Sequence, residues 1–542
     1  MKLLLTGQLP FILLLATILA LPISLGLLRL YRRAVVRSMR ATAGTGSIAG
    51  GAPEPSPSPE GRGVARPAAA AVEALLRGGP WRAATVYGIA SCAYAVVMVT
   101  GVLLSTRLEF FPVRVLFLLV SYAWPIVLTI NLVAGTVPSV RTWVLGAYLA
   151  GLGFITLVAV VISPKFTIGQ AVVFWLITNL PPTLAVWIVL ARPVRAVGPL
   201  VLTFMVIAAA GANVALSVAD ADERILRRIV VVGQAVGLNA TGMFIGLITV
   251  GAVVFGVGGW LALRWIGARY QKKRVSDQSI TLDAIWLFFG LAHSIGLAFE
   301  GPAWILTGPA AFLAFRLSAR AGFAVARRRA PVAGAGSRLL VLRVFALGRQ
   351  GEHLFSRVTA HWRHVGSVQL IAGPDFAMTT VEPHEFLDFI HGRLARRFID
   401  GEATFGRRLA EMDLGPDRDG RYRVNDFFCF DNAWRAVVSH LARSSDAVLV
   451  DLRGFSRQNA GVVFELNTLV DAVPLERVVM AVDDTTDAAF LQETIQKARD
   501  QMSGASPNRS ANGTPHAIVR LPDRRLRELP LLLSALAKAA HA

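Results

Sequence analysis

The chain is expected to fold as an α-helical polytopic membrane domain of about nine spans, followed by a cytoplasmic α/β domain with a mainly parallel sheet. Three observations predict this. Hydrophobic residues make up 54% of the 542 positions and charged residues only 17%, which is too apolar for an ordinary water-soluble chain. Apolar windows long enough to cross a bilayer crowd the part before residue 330. Beyond it, short β-branched runs alternate with amphipathic helical stretches, the pattern of a sheet covered by helices.

The spans are placed by windows of roughly 20 apolar residues. Candidates fall near 9–30, 83–104, 113–134, 142–162, 169–191, 197–219, 241–263, 281–299 and 301–319. The first is longer than a signal-peptide core and is followed by Arg32, Arg33, Arg37 and Arg40, so it reads as a retained membrane helix. Residues 1–40 are then the first helix and its basic flank. Residues 41–80, rich in Gly, Ala, Pro and Ser, read as a disordered linker. Residues 81–330 form the multi-span domain, 331–337 a second linker, and 338–542 the α/β domain. The stretch from Asp220 to Gly242 has the composition of an interfacial amphipathic helix or of part of a longer span.

Charge sets the orientation. Residues 1–337 hold 29 Lys and Arg against 10 Asp and Glu, whereas residues 338–542 hold 26 against 25. The net +20 therefore belongs to the membrane part, and the near-neutral C-terminal domain lacks the basic footprint of a nucleic-acid binder. Loops after odd-numbered spans carry 22 of the 29 basic residues, which places the N-terminus outside and the C-terminal domain in the cytoplasm at the inner (cell) membrane.

In the C-terminal part, strands are expected at Leu339–Ala346, Ser367–Ala372, Ala447–Leu452, Val478–Val482 and Ala517–Leu521. Helices are expected at Glu352–His364, Pro383–Phe398, Asn432–Arg443, Ala460–Asp471, Ala488–Met502 and Arg524–Ala540. Ligands of such sheets bind beyond the carboxyl ends of the strands. The candidate chemistry lies there: Asp451 ends an apolar strand, Arg453, Ser456 and Asn459 follow in a polar turn, and Glu465 sits in the next helix. Arg349, after the first strand, could face a phosphate at a helix start. A carboxylate at Glu465 could stabilise or attack a ribose anomeric centre while Asp451 and Arg453 hold hydroxyl or phosphate groups. The same residues also suit architecture, with Glu465 solvated or paired to Arg453 or Arg457, and Ser456 and Asn459 capping the helix.

Other residues carry less. Cys92 and Cys429 are the only cysteines, so neither a disulfide framework nor a four-cysteine metal site can form in one chain. His353, His361, His364 and His384 are scattered without a ligand motif, and no metal site is assigned. Phe427, Phe428, Cys429 and Phe430 read as a buried apolar segment. Asn131, Asn179, Asn213, His293 and Glu300 lie at or near spans and are expected to bond from helix to helix.

The stretch Ser444 to Leu466, an apolar strand leading into a Ser-containing loop and then a helix bearing Glu465-Leu466, resembles the corresponding part of Toll/interleukin-1 receptor (TIR) domains. Leu340 to Trp362 adds an opening strand and helix, and nucleoside deoxyribosyltransferases share the outline. The resemblance covers at most the last 200 or so residues. The loop lacks the Trp-Cys pair usual before the glutamate, and Gly373–Arg423 has no counterpart. The resemblance implies that Glu465 is the catalytic position in those members that cleave the bond between ribose and nicotinamide. The expected function is a membrane-anchored sensor or effector whose cytoplasmic domain binds a nucleotide or a partner protein. The alternatives are a nucleotide glycosidic-bond hydrolase using Glu465 and a transporter regulated by the soluble domain. The partners this carries are the lipid bilayer, a nucleotide ligand and a second copy of the chain, with no nucleic acid expected. No cofactor is assigned.

Overall fold

The computed structural model describes residues 2–41, 68–107, 109–134, 138–163, 166–191, 194, 197–221, 223–329, 336–343, 349–372, 383–394, 398–399, 401–429, 433–509, 517–522 and 526–542. The chain divides into two compact units. One comprises residues 1–30, 84–324 and 382–387, the other residues 31–83, 325–381 and 388–542.

The first unit is helical: α1 (Lys2–Ala41, its first part), α2 (Ala69–Thr106, from residue 84), α3 (Pro112–Tyr122), α4 (Pro125–Val133), α5 (Pro138–Ile162), α6 (Ile168–Val189), α7 (Gly198–Ala221), α8 (Glu223–Ala235), α9 (Ala240–Gln271), α10 (Asp277–Ala298) and α11 (Thr307–Arg329). Among the described residues, six helices are long and apolar enough to cross a membrane, within α2, α5, α6, α7, α9 and α10. The bent pair α3 and α4 raises the number to seven if counted as one span. The bend of 42° falls where Pro125, which has no N–H to donate, opens α4. The expected window 301–319 is shifted: Pro302–Leu306 forms a 3-10 turn and the helix runs from Thr307 to Arg329.

Many hydroxyls in this unit donate back to a carbonyl of their own helix, and a smaller set of aromatic and polar side chains bonds between helices. Tyr94 of α2 bonds His293 of α10 at 3.0 Å, and the Trp286 indole donates to Thr129 Oγ1 at 2.9 Å. Trp124 donates to Thr183 at 2.6 Å, and Trp175 to Tyr148 at 3.1 Å. Asn179 instead donates back to the Trp175 carbonyl within its own helix, Glu300 lies in an exposed turn, and the Asn213 side chain lies outside the described residues.

The second unit is built on a seven-stranded, all-parallel sheet among the described residues: β1 (Leu339–Arg343), β2 (Val368–Ala372), β3 (Phe398–Ile399), β4 (Val424–Cys429), β5 (Ala447–Asp451), β6 (Val478–Val482) and β7 (Ala517–Arg520). Their order is β3-β4-β2-β1-β5-β6-β7. Helices α12 (Arg349–Trp362), α13 (Pro383–Ile390, whose end belongs here), α14 (Glu402–Ala410), α15 (Trp434–Ser444), α16 (Ala460–Ala472), α17 (Ala488–Asp500) and α18 (Leu529–Ala539) connect and cover the strands.

Strand periodicity divides the core in two. Leu339 and Val341, with Ala447 and Leu449, point to the layer of α12 and α18, whereas Leu340, Leu342, Val448 and Val450 point to that of α15 and α16. The first layer also buries Tyr31 and Val35 from the end of α1, and Val72 and Leu76 from the start of α2. Tyr31 meets Phe389 edge-on at 5.6 Å. The linker expected over 41–80 lies outside the described residues as far as 67, and from Ala69 onward the chain is helical, because Val72 and Leu76 find an apolar layer to bury in.

The five expected strands form, and two more join them. β4 takes up the apolar segment around Phe427 to Cys429, and β3 and α14 fall within the stretch left without a counterpart. The expected helix Pro383–Phe398 stops at Ile390, where Gly392 turns the chain at φ +69. Phe430 and the side chain of His384 lie outside the described residues.

Candidate functional site

β1 sits at the point where the sheet reverses direction. The chain leaves β1 through α12 toward β2 on one side, and β5 lies on the other, followed outward by β6 and β7. Without β3 and β4 the order is that of flavodoxin-like doubly wound sheets, with the switch between β1 and β5. The helices that follow these two strands depart to opposite faces, α12 to one layer and α16 to the other. A crevice at the carboxyl ends of β1 and β5 is the place where such a sheet accommodates a ligand.

The last residues of the two strands are charged. Arg343 and Asp451 are partners in the parallel register, and both are buried. Asp451 is engaged by Arg453 two residues on: Nε donates to Oδ1 and Nη2 to Oδ2, both at 2.7 Å, and the Arg453 backbone N–H donates to Oδ1 at 3.3 Å. This bidentate pair is buried on both sides. Gly454 at φ +71 then turns the chain, a conformation that glycine adopts without a Cβ clash.

The loop from Leu452 to Asn459 is fastened to its surroundings. Leu452 N–H donates to the Ala481 carbonyl at 2.8 Å, Thr486 Oγ1 to the Leu452 carbonyl at 3.0 Å, and Asp487 N–H to the Phe455 carbonyl at 2.9 Å. Phe455 is fully buried and stacks on Phe490 at 5.3 Å. The loop thereby fixes where α16 begins.

Glu465 lies in the second turn of α16, between Val462 and Leu466, which anchor the helix in the core. Side chains of an α-helix lean toward its N-terminus, here the end at the carboxyl edge of the sheet. Glu465 is only 2% exposed, and its Oε2 has no hydrogen-bond partner among the described residues. Burial pushes its carboxyl up to about 8, against the opposing pull of the Arg343 guanidinium. At neutral pH the carboxyl is therefore mainly protonated and acts as a hydrogen-bond donor. Arg343 and Arg453 stand with Asp451 and Glu465 around the carboxyl ends of β1 and β5, with Arg453 paired to Asp451 and Arg343 acting on the Glu465 carboxyl.

The structure decides between the two sequence readings of these residues piece by piece. Glu465 is neither solvated nor paired to Arg453 or Arg457: Arg453 holds Asp451, and Arg457 reaches Glu493 at 2.8 Å on the surface. Ser456 and Asn459 bond each other, the Ser456 N–H and Oγ donating to Asn459 Oδ1 at 2.9 and 3.1 Å, so their polarity is spent within the turn. Arg349 opens α12, and its side chain lies outside the described residues.

Sequence reasoning missed Arg343. The strand was expected to run to Ala346, which would have left Arg343 in mid-strand, and only the register with β5 sets it beside Asp451. The usable signal was a single arginine interrupting the apolar run from Leu339 to Leu347. Cys429 is buried in β4, where desolvation pushes its thiol up and away from the reactive thiolate. No cluster of His, Cys, Asp and Glu among the described residues has the geometry to hold a metal ion. Comparison of the chain with models of protein families, with curated proteins and with solved structures finds no match.

Proposed function

We propose that the chain is a membrane-anchored effector whose sheet domain, on the cytoplasmic side, binds a nucleotide in a TIR-like site at the carboxyl ends of β1 and β5. The observation that carries this reading is Glu465, buried with its Oε2 unbonded among the described residues and its carboxyl pushed up by burial against the pull of Arg343, at the switch point of the sheet. A neutral carboxyl offers a hydrogen bond to a ribose hydroxyl or phosphate oxygen, and Arg343 offers charge to the phosphate. Titrating a nucleotide panel, NAD included, into the full-length protein in detergent tests it. Binding is expected to the wild type and to Glu465→Gln, whose neutral amide also donates, and to weaken at least about tenfold in Glu465→Leu, a loss of about 1.4 kcal/mol. Equal binding by the surface variant Glu493→Gln completes the expectation, and absence of binding across the panel overturns it.

A second reading, hydrolysis of the glycosidic bond to nicotinamide, is favoured by the same shifted carboxyl. Its signature is release of nicotinamide from NAD by the wild type and none by Glu465→Gln.

The membrane part of the proposal rests on the apolar helices and on nine crossings: α1, α2, the α3–α4 pair, α5, α6, α7, α9, α10 and α11. The last is too charged for a hydropathy window, yet Arg316 meets Asp283 of α10 at 3.3 Å, so the pair enters the bundle without net charge. Nine crossings with the basic loops inside put the C-terminus in the cytoplasm. A reporter active only outside the membrane, fused after Ala542, should stay silent, and strong activity would reverse the orientation.

A further inference from the structure

We infer that α8 is an interfacial helix that binds the phosphate headgroups of an anionic lipid leaflet. This rests on the membrane reading of α7 and α9. The two helices cross closely at Gly211 and Gly251, where a Cβ on either glycine would fall 2.4 Å from the other's carbonyl oxygen. Ala221 lies ten residues past Gly211, and Ala240 eleven before Gly251, so the two ends that α8 joins stand level, about 15 Å from the crossing.

The connection cannot stand upright on those ends. From Glu223 to Ala235 α8 rises about 18 Å, while residues 236–239 are turned back, Gly237 N–H donating to the Gln234 carbonyl at 3.0 Å and Leu238 N–H to the Gly233 carbonyl at 2.9 Å, and so cannot return that length. It must lie along the surface from which α7 and α9 emerge. Its far end is held down where Gly233 packs on the first turn of α9, a Cβ there falling 2.5 Å from Met243 Cγ.

Its faces suit that position. Ile225, Leu226 and Val232, together with Val236 just past the end, are exposed on one side. Arg224, Arg227 and Arg228 line the other with Gln234, where Val231 is also exposed among them. An apolar stripe without protein cover beneath three arginines is the arrangement that sinks into the acyl boundary while the guanidiniums reach phosphates. Glu223 neutralises part of Arg227 at 3.3 Å on the surface and leaves the helix cationic.

The test uses the full-length protein with Cys92→Ser and Cys429→Ser, placed in lipid nanodiscs and carrying one new cysteine at Val232, Gln234 or Val253. A membrane-impermeant maleimide reads exposure in phosphatidylcholine discs and in discs that also contain phosphatidylglycerol. The expected result is rapid labelling at Gln234→Cys, and labelling at Val232→Cys slowed about tenfold when phosphatidylglycerol is present. That protection should disappear when Arg224, Arg227 and Arg228 are changed to Gln. Labelling of Val232→Cys as fast as Gln234→Cys in both discs overturns the proposal, and so does protection that follows protein concentration rather than lipid charge. Val253 lies exposed in mid-α9, so rapid labelling there would instead overturn the membrane reading itself.

Discussion

The two units of this chain keep their apolar side chains in opposite places. Along α9 alone, Phe244, Ile245, Val250, Val253, Val254 and Leu261 are exposed, whereas within residues 388–542 the exposed large hydrophobics are Leu414, Ile518 and Leu531. The sheet unit is ordered by water, with a buried layer on each face of the sheet. The helical unit turns apolar surface outward and polar groups toward one another, which supports hydrocarbon as its solvent. Charge is handled differently too. The sheet unit buries ion pairs in full, Asp417 with Arg423 and Asp451 with Arg453, and adds one carboxyl, Glu465, that burial keeps protonated.

The contrast is sharpest where a buried pair is broken. Asp451→Ala takes from buried Arg453 the carboxylate that holds it and should destabilise the sheet unit by about 3–5 kcal/mol, whereas Asp417→Ala should cost less because Asp413 lies 3.5 Å from Arg423. Denaturant melts of the full-length protein followed by a probe in the sheet unit measure it. A loss under about 1 kcal/mol would mean that water reaches the pair.

The second prediction concerns the helix ends included in the sheet unit. Leu76→Ala removes a side chain 1% exposed in the layer beneath β1, and a cost of about 2–5 kcal/mol is expected in the same melts. The charge balance and periodicity of residues 338–542 suggest that this fragment folds alone. Burial of Tyr31, Val35, Val72 and Leu76 in its core predicts instead that the fragment is less stable than one that retains residues 31–83. Equal melts for the two would remove the helix ends from the account.

Glu465 gives a smaller, pH-dependent effect. Its carboxyl is raised from an ordinary 4.5 to about 8, so the folded state holds a proton that the unfolded state releases. The stabilisation from this group is complete below about 4.5 and is lost as pH rises toward and through about 8, by up to about 1.4 kcal/mol per pH unit. Glu465→Gln should remove that slope and match or exceed the wild type at pH 8. Parallel pH profiles for the two proteins would contradict it. The smallest effect is expected at Glu493, where replacing the exposed partner of Arg457 by Gln should change stability by about 1 kcal/mol or less.

What the sequence made legible follows from range. β1, β2, β5, β6 and β7 lie in mostly apolar runs, broken in β2 only by Gln369, and their alternation with helices was enough to predict a parallel sheet. β4 was hidden because Asn425 and Asp426 break its apolar run. Asn425 is there to bond the loop at Asp413, at 2.9 and 3.0 Å, and Arg408 reaches the Asp426 carbonyl at 3.1 Å. Asp451 and Glu465 could be found because one strand, one turn and one helix carry them. Arg343 could not, since only sheet register brings it to Asp451, and neither could the pairings that exclude Arg453 and Arg457 as partners of Glu465. The ninth window was placed at 301–319 while the helix runs from Thr307 to Arg329, and its ion pair with Asp283 of another helix was beyond the reach of the sequence.

The most direct test of the central claim is the pH profile of nucleotide affinity in the full-length protein. If Glu465 meets the ligand as a neutral donor beside Arg343, affinity should stay level up to about pH 7 and fall as the carboxyl ionises near 8, with a slope approaching tenfold per pH unit. Glu465→Gln, whose amide stays neutral and donating at every pH, should bind like the wild type at pH 7 and show no fall. A wild-type affinity that is flat from pH 6 to 9, or that rises through about 8, would contradict the account.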